Sequence, residues 1–114
     1  MGHHIQGEGH FQKEADRLLK KLRPGTFVIA LDPRGTMHSS EEMAANLQTL
    51  ALNGRSDITF IIGGSAGLAP SVVERADMLL SFSKLIFPHQ LMRLMLTEQV
   101  YRWFKMMKGE PYHK

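Results

Sequence analysis

The sequence ends on GEPYHK, in which three side chains with distinct chemical uses follow a Gly-Glu-Pro break. Tyr112 can stack on an aromatic ring, His113 can accept a proton near neutral pH, and Lys114 can bind an anion. Gly109 is suited to ending the preceding helix, and Pro111 stiffens the step that follows. The tail is therefore a candidate catalytic segment. A frayed terminus is the alternative, because most chain ends are poorly ordered.

A glycine cluster, IIGGSAGL over residues 61–68, is the second candidate. It directly follows the apolar run Ile58 to Ile62, which predicts a strand. Glycines at the carboxyl end of a parallel strand let the backbone approach a ligand, and open α/β sheets bind ligands at that edge. The spacing is neither the G-x-G-x-x-G dinucleotide fingerprint nor a P-loop. Taken alone, the cluster is more typical of a tight turn.

The third candidate is LSFSKLIFPHQ, residues 80–90, which mixes two serines and a lysine with apolar side chains. A loop of this composition suits a ligand that is part polar and part apolar. The alternative is a connecting loop in which Leu85, Ile86 and Phe87 fill the core. His89 in this segment is more typical of a helix cap than of a catalyst.

The elements that position these segments follow the order helix, strand, helix, strand, helix, short strand, helix. Such alternation predicts an α/β fold in one domain, and the apolar strands are typical of a parallel sheet covered on both faces. We interpret residues 1–12 as an added tail or a linker. Asp32-Pro33-Arg34-Gly35 predicts a turn, and Ser39 with Glu42 has capping-box spacing. The predicted spans are Glu8–Leu22, Thr26–Leu31, Ser39 or Ser40 to Leu52, Ile58–Ile62, Pro70–Ala76, Leu79–Phe82 and His89–Lys108.

The last predicted helix carries apolar side chains around nearly its whole circumference. A helix of this kind must be covered on more than one side. Since its own sheet can cover one side of it in a domain of 114 residues, we expect a second copy to cover the rest. The alternative is a central helix wholly buried in one monomer.

The composition excludes several classes of protein. The chain has no cysteine, so it has neither a disulfide framework nor a thiolate metal site, and we predict no metal. Fourteen Lys and Arg against 11 Asp and Glu give a net charge of +3, which fits either a solvated surface or a polyanionic partner. No apolar run has the length of a membrane span and no signal peptide opens the chain, so we expect a cytoplasmic protein without a membrane partner.

Taken together, IIGGSAGL, LSFSKLIFPHQLMRLMLTEQVYRWFK and GEPYHK, in this order and spacing, resemble the bacterial ribosomal RNA large-subunit methyltransferase H family. The resemblance covers Lys13 to Lys114. It implies a SPOUT methyltransferase, which is a homodimer of parallel α/β subunits with a carboxy-terminal trefoil knot. Residues 57–114 then form the knotted part that binds cofactor and dimerises. Family members begin with a further strand, helix and strand, which we expect this chain to lack.

The same resemblance implies S-adenosylmethionine as cofactor and N3 of a pseudouridine in large-subunit rRNA as target. In the family the tail of one subunit reaches the other subunit's cofactor pocket, which gives Tyr112, His113 and Lys114 a catalytic role. His113 is the candidate base, Tyr112 the candidate stacking residue, and Lys114 a phosphate ligand. The implied cofactor residues are Leu31, Gly63, Phe82, Ser83, Lys84, Leu85, Ile86 and Phe87. The implied RNA-binding residues are Arg93, Arg102 and Lys105.

Two functions are compatible with this resemblance. The first is an enzyme that binds S-adenosylmethionine and methylates rRNA in the ribosome. The second is a non-catalytic minimal knotted domain that dimerises and binds cofactor weakly or not at all, because the expected amino-terminal elements are absent. An assay of methyl transfer distinguishes the two.

Overall fold

The chain folds into three layers, with helices on both faces of one parallel sheet. The computed structural model describes residues 2–8, 12–63 and 68–109. The four strands lie in the order β1-β3-β2-β4, and each neighbouring pair is parallel. This confirms the predicted parallel α/β fold. The elements are β1 (Gly2–Glu8), α1 (Gln12–Lys21), β2 (Phe27–Met37), α2 (Ser40–Leu52), β3 (Asp57–Ile62), α3 (Pro70–Arg75), β4 (Met78–Ser81) and α4 (His89–Met107).

Alternate side chains of the central strands enter two separate cores. Ile29 and Leu31 of β2 join Phe60 of β3 in the core beneath α2 and α4. Val28 and Ala30 of β2 point to the opposite core, beneath α1 and α3. Because side chains of a strand alternate between its faces, a sheet covered on both sides needs apolar residues at every position. The uninterrupted apolar runs of the sequence therefore match the two-sided burial.

Local sequence signals set the ends of α2 and α4. Ser39 caps α2 by accepting a hydrogen bond from the backbone N–H of Glu42, and the Glu42 carboxylate accepts one from the N–H of Ser39 in return. The predicted capping box is thus confirmed. Gly54 after α2 and Gly109 after α4 have φ angles of 80° and 73°. Such left-handed angles favour glycine, so both helices end at a residue that tolerates them.

The amino-terminal segment departs from the sequence interpretation, which placed residues 1–12 outside the domain. Residues Gly2–Glu8 instead form an edge strand that pairs in parallel with β3, and α1 begins at Gln12 instead of Glu8. The segment GHHIQGE has neither the alternation nor the apolar run that predicts a strand. Its extended structure follows from backbone pairing with β3, which a local sequence pattern does not reveal. The absence of a further strand-helix-strand and the carboxy-terminal knot over residues 57–114 stay predictions.

The path of β2 is also longer than predicted. Leu31 and Thr36 both pair with Leu80 of β4, so residues 32–35 leave the ladder and the strand resumes beyond them. We call residues 32–35 the β2 excursion. The turn signal was therefore right about the break in pairing and wrong about the end of the strand. Gly35 permits this path, since a Cβ there would lie 2.7 Å from the backbone carbonyl carbon of Leu79.

The residues that the structure describes bury one side of helix α4 and leave the other side exposed. Leu96, Val100 and Trp103 are buried in the core, and the Trp103 ring lies 6.1 Å from that of Phe60. Leu94, by contrast, is 67% exposed. The helix is therefore not wholly buried in one subunit. Across the part of the chain that the structure describes, none of the helices has the length and hydropathy needed to cross a membrane.

Candidate functional site

A small cavity lies at the edge of the sheet where β3 and β4 end and where β2 enters its excursion at residues 32–35. It encloses about 30 Å³ and is bordered mainly by apolar side chains. The carboxyl edge of a parallel sheet is where open α/β folds bind ligands, so the cavity lies where a ligand is expected. Its lining residues are Leu31, Asp32, Pro33, Gly63, Leu80, Phe82, Ser83, Leu85, Ile86, Phe87 and Met92.

Most of the predicted cofactor residues converge on this cavity. Leu31 comes from β2, Gly63 follows β3, and the others lie on the loop between β4 and α4. Lys84 is the exception, because it is exposed on that loop and does not line the cavity. Segments far apart in sequence therefore meet at one place, as a shared binding site requires. The predicted residues found there are Leu31, Gly63, Phe82, Ser83, Leu85, Ile86 and Phe87.

Gly63 follows the last residue of β3 and lies close to Leu31 of β2. Its backbone N–H donates to the carbonyl oxygen of Leu31 over 3.1 Å. A Cβ on Gly63 would lie 3.1 Å from that oxygen and 3.0 Å from Cγ of Leu68. Both distances are tighter than ordinary van der Waals contact, so a side chain here would push the walls apart. Residues 64–67, the remainder of the glycine cluster before Leu68, lie outside the described residues.

Serine side chains hold the loop that follows β4. The Ser81 hydroxyl donates to the carbonyl oxygen of Ser83 over 3.0 Å, and the N–H of Leu85 donates to the Ser83 hydroxyl over 2.9 Å. The first bond links the last residue of β4 to the loop and the second lies within the loop, so together they shape the start of the loop where it leaves the sheet. Leu85 is 70% exposed and Ile86 is 62% exposed at its tip. The loop thus places apolar side chains at the mouth of an apolar cavity.

Asp32 is a buried carboxylate at the floor of the β2 excursion. Its Oδ1 accepts hydrogen bonds from the backbone N–H and from Nε of Arg34, over 2.9 and 2.8 Å. Its Oδ2 accepts from Nη2 of Arg34 over 2.8 Å and from the N–H of Leu68 over 3.2 Å. The Arg34 side-chain hydrogen bond lowers the pKa of Asp32 to about 2, against the opposing effect of burial. The carboxylate is therefore ionised at neutral pH although the residue is only 2% exposed.

A larger groove adjoins the cavity at Leu80 and Phe82. It encloses about 620 Å³ between α2 and α4, and Leu94 and Trp103 of α4 contribute to its walls. The indole Nε1 of Trp103 is buried here and makes no hydrogen bond within the described residues. Volume alone favours this groove as a ligand site. The smaller cavity, unlike this groove, lies beside Gly63 where β3 and β4 end, which is the position at which open α/β sheets bind ligands.

The basic residues predicted to hold RNA lie along α4. Arg93 is exposed, whereas Arg102 is half-buried and its Nη2 donates to a Glu98 carboxylate oxygen over 2.7 Å. The Lys105 ammonium lies 5.4 Å from the centre of the Tyr101 ring. Their contacts with RNA stay predictions. The predicted catalytic residues of the tail lie outside the described residues: Tyr112, His113 and Lys114.

Four residues of the cavity wall were not among the predicted cofactor residues, namely Asp32, Pro33, Met92 and Leu80, the last of which opens the candidate loop of residues 80–90. Leu80 and Met92 are apolar residues in apolar elements, and no local signal distinguishes them. Asp32 offered a signal, since a carboxylate directly after a buried strand, with Arg34 two residues on, can form a local ion pair. Its burial depends on Leu68, which lies 36 positions away.

A parallel α/β fold with a pocket at the carboxyl edge of its sheet characterises this chain, and a family model agrees with it. The chain belongs to the family described as predicted SPOUT methyltransferase, whose model matches residues 3–113.

Curated relatives carry a more specific name. The chain is 68% identical over 103 residues to the ribosomal RNA large subunit methyltransferase H of Desulforamulus reducens. The aligned region covers 90% of this chain and 64% of that protein. It is 67% identical over 107 residues to the protein of the same name from Pelotomaculum thermopropionicum, covering 94% and 67% of the two chains. The corresponding protein of Carboxydothermus hydrogenoformans is 54% identical over 109 residues. The chain spans about two thirds of the length of these relatives.

Proposed function

We propose that this chain is an S-adenosylmethionine-dependent methyltransferase that acts on N3 of a pseudouridine in large-subunit rRNA. The observation that carries the proposal is the convergence of β2, β3 and the β4–α4 loop on one cavity through the residues that the resemblance implies. Membership of the SPOUT methyltransferase family and the names of the relatives support it. The net charge of +3 suits a polyanionic substrate.

The cofactor supplies the methyl group, and the residues of the cavity hold and orient it. Apolar side chains of the loop suit an adenine ring, and backbone groups near Leu31 and Gly63 suit its polar edge. The cavity of about 30 Å³ is far smaller than the several hundred Å³ that ligand sites of this kind enclose. We therefore infer that the loop carrying Leu85 and Ile86 moves outward when the cofactor binds.

Titration calorimetry with S-adenosylhomocysteine tests this assignment. Leu85→Ala removes exposed apolar surface at the cavity mouth and should weaken binding by roughly three- to ten-fold, because a buried apolar contact is lost. Leu52→Ala is the matched control, since Leu52 is 78% exposed on α2 and lines neither cavity. Equal affinities for the two variants would contradict the assignment.

The tail residues provide the proton chemistry in this proposal. N3–H of the pyrimidine ring is a weak acid and must lose its proton before N3 can attack a methyl group. A histidine with a pKa near neutrality is suited to accept that proton, and His113 takes this role. Tyr112 stacks on the target base, while Lys114 and Arg93 contact rRNA phosphates.

We further propose that two copies of the chain pair through α4, so that the tail of one subunit serves the pocket of the other. Exposed apolar side chains on one helix face call for a covering partner. The large groove beside α4 supports the same pairing, because Leu94 contributes to its wall and a second copy can fill it. The large apolar side chains of α4 that are exposed to solvent in one subunit are Leu91, Leu94 and Tyr101.

Transfer of a labelled methyl group to large ribosomal subunits that lack the modification tests the activity itself. We expect label at N3 of one pseudouridine, and loss of label when residues 112–114 are deleted. If the wild-type chain binds cofactor and dimerises but transfers no methyl group, the chain is instead a non-catalytic knotted domain.

A further inference from the structure

The carboxylate of Asp32 links the β2 excursion to Leu68, the last residue of the glycine cluster. Among the described residues Asp32 accepts four hydrogen bonds, and three of them come from Arg34, only two residues away. The fourth comes from the N–H of Leu68 and spans 36 positions. The bonds from Arg34 therefore orient the carboxylate. The bond from the N–H of Leu68 then holds Leu68 against it.

The Leu68 side chain in turn lies close to Gly63, near the start of the glycine cluster. Its Cγ and Cδ2 lie 3.0 and 3.3 Å from the position that a Cβ of Gly63 would occupy. The residues on the two sides of the cluster are therefore close together, one paired with Leu31 and one held by Asp32. Loss of the Asp32 bond would release only the Leu68 side, since the N–H of Gly63 has its own acceptor.

We propose that Asp32 is a positioning residue for cofactor binding. Its carboxylate, oriented by Arg34, holds Leu68 and so fixes the wall of the cavity at Gly63. This inference rests on the proposed function, because it assigns the cavity to the cofactor. Asp32 lines the cavity beside Leu31, but it acts here through Leu68.

The charge of Asp32 is what makes the bond to Leu68 effective. Hydrogen bonds to an ionised acceptor are stronger than those between neutral groups, and a buried carboxylate needs partners for both oxygens. The bidentate pairing with Arg34 supplies those partners on the side that faces solvent, where the Arg34 side chain is 64% exposed. An asparagine at this position would present an N–H₂ group to donors, so either Leu68 or Arg34 would lose its acceptor.

The opposite edge of the sheet provides a matched control. Asp77 precedes β4 and accepts a hydrogen bond from the N–H of Val28 over 2.8 Å. It also pairs with Arg75, two residues away, over 3.1 Å. Asp77→Asn and Asp32→Asn therefore each remove an arginine-paired carboxylate, at opposite ends of the strands, although the Asp77 side chain is 34% exposed and that of Asp32 only 1%. Only the second change lies at the cavity.

Hydrogen exchange and calorimetry on the 114-residue chain test the inference together. In Asp32→Asn the amide of Leu68 should exchange at least about ten-fold faster, and S-adenosylhomocysteine should bind about ten-fold more weakly, because a charge-assisted bond is lost. In Asp77→Asn both quantities should stay within about two-fold of wild type, while the amide of Val28 becomes less protected. Arg34→Gln, a change at an exposed side chain, gives the same test if Asp32→Asn does not fold.

Each arm has an outcome that overturns the inference. Unchanged exchange at Leu68 in Asp32→Asn means that Asp32 does not hold this segment. Unchanged affinity, or an equal loss in Asp77→Asn, means that the bond has no specific effect on cofactor binding. If the wild-type chain binds no S-adenosylhomocysteine, the proposed function fails as well, and the exchange at Leu68 still reports whether the bond holds the segment.

Discussion

The protonation of one residue, Asp32, makes the stability of the fold depend on pH. Its pKa falls from 3.8 to about 2 in the folded chain because Arg34 and two backbone N–H groups stabilise the charged form. A lowered folded-state pKa stabilises the fold above the unfolded-state value, and this contribution is lost as the pH falls through the folded-state value. The window therefore lies between about pH 4 and pH 2.

We predict that Asp32→Asn flattens the pH dependence of stability in this window. The wild-type melting temperature should fall more steeply between about pH 4 and pH 2 than that of the variant, which has no carboxylate to protonate at this position. Circular dichroism melts at half-unit steps of pH measure both curves. The other carboxylates are common to both proteins, so the difference in melting temperature between the two curves reports on Asp32. Parallel curves would contradict the prediction.

Individual elements owe their ends to residues close by in sequence. We predict that Ser39→Ala destabilises the chain by about 1 kcal/mol, because the N–H of Glu42 loses its side-chain acceptor at the start of α2. The urea midpoint of unfolding measures the change. Ser56→Ala, at an exposed serine outside any element, is the control and should stay within about 0.5 kcal/mol of wild type. If Ser56→Ala lowered the free energy of unfolding more than Ser39→Ala, the capping box would not be what stabilises this helix end.

The elements also mark the limit of what the sequence predicts. The capping box of Ser39 and the glycine that ends α2 were predictable because each depends on contacts within a few residues. The strand β1 was not, because Ile5 is the only apolar residue in GHHIQGE and its pairing partner is β3, some fifty positions away. The burial of Asp32 was missed for the same reason, since Leu68 supplies the distant half of its environment.

For the cavity, the resemblance named residues that the structure brings together, but it gave neither the cavity's small volume nor the β2 excursion that forms one wall. Both depend on how β2, β3 and β4 end relative to one another. Local pattern carries no such information, because the register of a parallel sheet is a tertiary property.

The assembly proposed for the whole molecule depends on one exposed face of α4. We predict that Leu94→Glu gives a folded monomer, because it places a charge in the apolar interface where the second copy would pack. Sedimentation velocity at micromolar concentration measures the change. Leu52→Glu is the control, since it places the same charge at another exposed leucine, on α2, and should leave the dimer intact. The buried Trp103 is not suited to this test, because its replacement disturbs the core. A wild-type chain that sediments as a monomer would contradict the assembly.

A mixture of two inactive variants tests whether the tail acts across the interface. One variant lacks Tyr112 to Lys114, and the other carries Gly63→Val, whose side chain would press on Leu31 and Leu68. A mixed dimer then has one pocket able to bind cofactor, and the intact tail belongs to the other subunit. We expect methyl transfer to return in the mixture. If the mixture stays inactive while wild type is active, the tail serves its own subunit.

The parallel sheet has a kinetic consequence for the molecule as a whole. Gly2 pairs with Asp57, Phe27 with Ile58 and Ile29 with Met78, so none of the four described strands pairs with its neighbour in sequence through a hairpin. Long loops must close before any pairing stabilises them, and chains of such high contact order fold slowly. The single tryptophan, buried in the core, gives a fluorescence signal for following this process. During that delay the strand edges are exposed, so we expect the yield of refolding to fall as protein concentration rises.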